Sequence, residues 1–133
     1  MSAPETAITM QSMAGKDLAA LRGMMDVTLF ADEIFGFHAQ QAVEKSLKAW
    51  ITLAGGIFGF THDLEMLLMQ LKQLGVDADR FSDLIELSAF AVQFRYAELD
   101  LDDVPFDRFD TICKISELFN HVQTLLETAN SAQ

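Results

Sequence analysis

Four residues that can bind an anion or move a proton recur on one face of a helical pattern: His38, Gln41, Lys45 and Lys48, spaced three, four and three residues apart. An imidazole changes charge near neutral pH, and an ammonium beside it suits a phosphate or a carboxylate. Two further charges stand where apolar residues are expected. Asp17 falls on the inner stripe of the first helical pattern and Arg95 on that of the fourth. A charge on such a stripe is costly unless it is paired or reaches water. His62, Asp63 and Tyr96 complete the polar set. Two arrangements stay open. In one, Asp17, His38, Gln41, Lys45, Arg95 and Tyr96 line a small pocket between helices one, two and four, with Lys45 and Arg95 on a phosphate and Tyr96 facing a base. In the other, an Asp17–Lys45 contact belongs to a closed structural network.

Other chemistries lack their residues. The run Gly55-Gly56-Ile57-Phe58-Gly59 has no following Gly-Lys-Ser/Thr and no strand before it, so it reads as a helix stop and not a phosphate loop. The acidic turn from Asp100 has Pro105 at the loop position a calcium loop reserves for glycine, and Thr111 where it needs glutamate. The histidines His38, His62 and His121 lack the close helical spacing of a metal pair. No metal and no cofactor are expected. His121 reads as a surface residue, and Cys113, the only cysteine, as a buried structural thiol beside the inner stripe of the last helix.

The elements that carry these residues are all helical. Helix one is expected from about Thr9 to Phe30. Helix two spans Glu33 to Ala54, with Asp32 as N-cap and a stripe of Ala39, Ala42, Val43, Ser46, Leu47, Trp50 and Leu53. Helix three follows Thr61 and reads His62 to Leu74, stopped by Gly75. Helix four runs from Asp77 or Asp79 to about Ala97, and helix five from about Asp107 to Ala129. Residues 1–8 and 130–133 are expected to fray. The prediction is a single all-α domain over residues 1–133, an up-and-down bundle of about five helices with Trp50, Leu84, Phe94 and Phe119 in its core.

Composition bounds the partners. Nine Lys and Arg stand against twenty Asp and Glu, a net charge of −11. Such a field repels nucleic acid and anionic membranes and favours a basic partner. No stretch is long and apolar enough for a membrane span, and Met1 to Met10 carries an acid and no base, against a secretory signal. A cytoplasmic location is the default expectation.

The segment Phe37-His38-Ala39-Gln40-Gln41-Ala42-Val43-Glu44-Lys45-Ser46-Leu47-Lys48-Ala49 closely resembles the second helix of HEPN domains. Asp17-Leu18 matches the acid–leucine pair of that family's first helix, Thr61-His62-Asp63-Leu64 the start of its third, and Arg95-Tyr96 an arginine–tyrosine pair near the end of its fourth. The match runs from about Ala14 to Glu127. The resemblance implies a helical bundle, often dimeric. It implies a partnership with a minimal nucleotidyltransferase, nucleotide binding, and a toxin–antitoxin or defence setting. Some members are metal-independent ribonucleases that use an Arg followed after four to six residues by a His. No arginine of this chain meets that spacing, and Ala97 stands where a proline commonly follows the arginine–tyrosine pair. A non-catalytic binding module is therefore expected, with a diverged ribonuclease toxin and a ligand-free dimeric scaffold as the alternatives. A symmetric homodimer is expected to use surplus apolar surface on helices two and four.

Overall fold

In the computed structural model, residues 2–93 and 107–131 are described. The helices are α1 (Ala3–Gly23), α2 (Asp32–Leu53), α3 (Leu64–Gln73), α4 (Phe90–Gln93) and α5 (Arg108–Ser131), with a 3-10 helix (Asp79–Ala89) leading into α4. There is no strand among the described residues, and none of their helices is long and apolar enough to cross a membrane. Phe94, expected in the core, Arg95, Tyr96 and the acidic turn from Asp100 to Phe106 lie outside the described residues.

Helix α2 is the axis of the bundle. Its buried residues include Phe35, Ala39, Val43, Leu47, Trp50 and Ile51, so one face is covered along more than four turns, together with much of the flanks. Helix α1 lies antiparallel to it through small residues, Ala7 and Ala14, then Leu18 and Leu21, and the Phe119 ring of α5 lies 3.3 Å from where a Cβ on Gly15 would stand. The start of α1, at Ala3, is earlier than expected. Ser2 and Glu5 form a reciprocal capping box and Pro4 sits in the first turn, where its missing N–H costs nothing. Its end is also earlier. Past Gly23 the Asp26 carboxylate accepts from the Thr28 N–H (2.8 Å) and hydroxyl (2.6 Å), a local turn that competes with helix, and Met25 and Leu29 face solvent.

Two caps differ by a residue or two from expectation. Ala31 is the N-cap of α2, which frees the Asp32 carboxylate for Arg108 (2.8 Å). Asp63 caps α3 by accepting from the Glu65 N–H, and the Thr61 hydroxyl accepts from Asp63 one step earlier, so His62 precedes the helix. Gly55 and Gly75, with φ of +90° and +83°, supply the expected helix stops.

The fourth element departs most. In the sequence, Phe81, Leu84, Ile85, Ser88, Ala91 and Val92 make one stripe at α-helical spacing, and Leu87, Phe90 and Phe94 widen it. The buried residues are Phe81, Leu84, Leu87 and Phe90, a strict repeat of three. Three residues per turn is the 3-10 period, so these four side chains stack in one line against the core. Phe81 packs edge-on against Trp50 at 5.8 Å, and Phe90 occupies the space a Cβ on Gly36 would need. On α5, Ile115, Leu118, Val122 and Leu126 face inward and Phe119 packs beside them. Cys113 lies on the opposite side and is exposed, not buried. His121 is not a plain surface residue. It packs edge-on against Trp50 at 4.8 Å, and burial together with the nearby Arg80 charge holds its pKa below the ordinary value.

Candidate functional site

The polar residues of α2 divide into two clusters according to which neighbour each helical position faces. His38 and Lys45 are seven residues apart, two turns of one stripe, and both face α1. There Asp17 receives Lys45 Nζ on Oδ2 at 2.7 Å and His38 Nδ1 on Oδ1 at 3.2 Å. The sequence-based expectation of an Asp17–Lys45 contact is met. Asp17 is 14% exposed, Lys45 17% and His38 32%, so this cluster sits at a wet rim of the α1–α2 seam. Both carboxylate oxygens are engaged.

Gln41 does not join it. Its amide donates to Gln40 Oε1 at 2.7 Å, into a second cluster between α2 and the segment before α3. At the centre is Glu44, 4% exposed. Its Oε1 accepts from the Gln40 amide (2.9 Å) and from His62 Nδ1 (2.8 Å), and its Oε2 accepts from Lys48 Nζ (3.0 Å). Burial pushes the Glu44 carboxyl up, but the hydrogen bonds from Gln40, His62 and Lys48 outweigh it and hold the group below the ordinary glutamate value. The Gln40 amide also donates to the His62 carbonyl at 3.0 Å, and Lys48 lies 5.3 Å from the Phe58 ring. The cluster thus pins the loop between α2 and α3 onto α2. The His62 ring, held at Nδ1, is 60% exposed and presents its other edge to water.

Sequence reasoning named Lys48 and His62 but missed Gln40 and Glu44. The available signal was the run Gln40, Glu44, Lys48 at intervals of four, with an acid four residues before a base. Arg95 and Tyr96 lie outside the described residues, so neither can be placed relative to Asp17. Among the described residues no group of three or more His, Cys, Asp or Glu is arranged to hold a metal ion.

The order of these parts along the chain follows a known pattern: acid–leucine on the first helix, the His38 to Lys48 stripe on the second, Thr61-His62-Asp63-Leu64 entering the third. The HEPN domain model matches residues 11–132. This chain belongs to the HEPN domain family. None of the curated proteins and none of the solved structures matches it. The HEPN match takes in Asp17, the whole polar face of α2 and the Glu44–His62 cluster.

Chemically, the first HEPN cluster offers a cation and an imidazole at a rim, both spoken for by one carboxylate. The second offers an imidazole oriented by a buried carboxylate. Such orientation fixes which ring nitrogen carries the proton and leaves the other free to face solvent.

Proposed function

We propose that this HEPN chain is a non-catalytic binding module that partners a minimal nucleotidyltransferase in a toxin–antitoxin or defence setting. One observation carries the non-catalytic part. None of Arg22, Arg80, Arg95 and Arg108 is followed at four to six residues by a histidine. RNA cleavage of that kind needs a cation at the scissile phosphate and a proton-transfer group beside it, and this spacing is what supplies both. The acidic balance of the chain supports a basic protein partner over a nucleic acid. In the nucleotide-binding form of this reading, a phosphate draws Lys45 from Asp17 and reaches Arg95, while Tyr96 faces the base.

The test pairs two assays. Purified protein is incubated with RNA, and no cleavage is expected; cleavage abolished by Arg95→Ala overturns the non-catalytic reading. The chain is then co-expressed with a nucleotidyltransferase encoded beside it, where stable co-purification is expected. Calorimetry with ATP at millimolar concentration addresses the ligand: binding that Arg95→Ala removes without moving the melting temperature supports the pocket, and absence of binding with and without the partner refutes it.

The diverged-ribonuclease reading has one observation in its favour. His62 is oriented by Glu44 as a general base must be. Cleavage that His62→Ala removes and Arg95→Ala leaves intact would establish it.

A further inference from the structure

Surplus apolar surface among the described residues is not spread along α2, where Ile34, in the first turn, is the one large apolar side chain left exposed. Part of it gathers at the end of the bundle where α1 stops and α2 and α5 begin. Met25 is 42% exposed, Val27 66%, Leu29 75% and Phe109 70%. Local turn chemistry needs none of these side chains, since the Thr28 N–H and hydroxyl close the turn on the Asp26 carboxylate by themselves. The backbone beneath is fixed. Arg108 is buried and donates to the carbonyls of Met24, Asp26 and Phe30 and to the Asp32 carboxylate, which ties the α1–α2 turn to the start of α5. Exposed apolar residues on a braced surface mark an interaction site, and one held this way needs little ordering to bind.

We infer that this face docks a protein segment that carries aliphatic side chains flanked by lysine or arginine. The placement of charge selects this occupant. Asp26 lies between Met25 and Val27 in the chain, Glu33 beside Ile34, and Asp107 and Asp110 on the two sides of Phe109. Asp110 shares Lys114 at 3.3 Å, while Asp26, Glu33 and Asp107 take part in no ion pair among the described residues. The first turns of α2 and α5 favour acids in any case. The exposed valine, leucine and phenylalanine have no such local reason, and they are what calls for a partner. An apolar centre within a carboxylate rim disfavours other occupants. Two copies of this chain would meet there with like charges. Nucleic acid and anionic membranes are repelled by the rim as well as by the net charge of −11. An acidic or purely apolar segment would leave the carboxylates without a counter-charge. The exposed Met66 and Met69 of α3 have Glu65 and Lys72 beside them, a mixed pair that selects neither sign.

The inference rests on the acidic balance that also favours a basic partner in the proposed function. Its test contains no nucleotidyltransferase, so its failure and the failure of that partnership are read separately. The probe is a fluorescein-labelled synthetic peptide of leucine and lysine at amphipathic-helical spacing, titrated with the full chain and followed by fluorescence anisotropy. It is expected to bind with a micromolar Kd, weakened about tenfold when salt rises from about 0.05 to about 0.5 M. Peptides with glutamate for lysine, or asparagine for leucine, are expected to bind at least about tenfold more weakly. Val27→Ser/Leu29→Ser is expected to weaken binding of the first peptide about tenfold, the effect of losing central contacts. Glu33→Gln is expected to weaken it about threefold and to flatten its salt dependence. Met66→Ser/Met69→Ser, on the other apolar surface, is expected to leave it unchanged. These valine, leucine and methionine side chains are exposed, so thermal melts of the variants should overlay and exclude misfolding. Absence of binding, equal binding of the glutamate peptide, or binding indifferent to Val27→Ser/Leu29→Ser overturns the assignment. So does binding lost equally in Met66→Ser/Met69→Ser. Co-sedimentation with phosphatidylcholine vesicles, or self-association, that Val27→Ser/Leu29→Ser abolishes would give the face to a membrane or to a second copy and overturn it as well.

Discussion

Arg108 is the first residue of α5 and is 4% exposed. Its Nη1 donates to the Met24 carbonyl (2.6 Å) and the Asp26 carbonyl (3.4 Å), and its Nη2 donates to the Phe30 carbonyl (2.5 Å) and Asp32 (2.8 Å). Its guanidinium also lies 5.0 Å from the Phe35 ring. Five donors on a flat fork suit this task, because the α1–α2 turn presents carbonyls and not side chains. Arg108→Met keeps the stem volume and removes every bond. Removing one partner from a buried charged cluster costs about 3–5 kcal/mol. Asp32 is 37% exposed, so solvent screens that share and the lower end applies, about 3 kcal/mol. For a chain of this size that lowers the melting temperature by about 10 °C. Arg108→Lys, with one ammonium unable to span the same acceptors, should lose about half as much. Thermal denaturation gives the magnitude, and amide hydrogen exchange gives the location: protection should fall across residues 24–31. A loss under about 1 kcal/mol, or unchanged exchange in that turn, would refute the account of Arg108 as the organiser of the α1–α2 connection.

Three further outcomes are expected. Because Glu44 is held below its ordinary value of 4.5, it contributes stability fully above that pH and loses it as pH falls through the lowered native value; Glu44→Gln should therefore melt lower than the unmodified protein at neutral pH, and the gap should close as the pH is taken below 4.5. Gly36→Ala places a methyl in the Phe90 ring and should cost about 1–3 kcal/mol by chemical denaturation, whereas Gly23→Ala, with open space around it, should be neutral or stabilising. Cys113 should react at once with a disulfide reagent in native buffer; reaction only after denaturation would place it inside.

The sequence carried the architecture because α2 has an unbroken apolar stripe and glycines with positive φ close the helices after it and after α3. It also carried the Asp17–Lys45 contact, since a lone acid on an inner stripe must find a base nearby. Glu44 was less visible. A glutamate among lysines reads as a solvated charge, and only the loop folding back over it buries it. Arg108 was invisible locally: three of its four hydrogen-bond partners are backbone carbonyls about eighty residues earlier, and carbonyls leave no mark in a sequence. The 3-10 stretch was legible in principle. Phe81, Leu84, Leu87 and Phe90 repeat every three residues, but Ile85 and Ser88 fit the commoner α period equally well and drew the reading toward it.

That stretch also works as a ruler. Phe81 must meet Trp50 and Phe90 must meet Gly36, points separated by fourteen residues of α2, or about 21 Å. Nine residues in α form reach only about 14 Å and would turn Phe90 to the far side from Phe81. The same nine in 3-10 form reach about 18 Å and bring both rings to one side. The return path along α2 is thus set by residue count as much as by residue type. Inserting or deleting one residue between Phe81 and Phe90 would rotate everything after it by a third of a turn and draw the second ring off its glycine. Conservative substitutions in that segment are tolerable; changes of length are not.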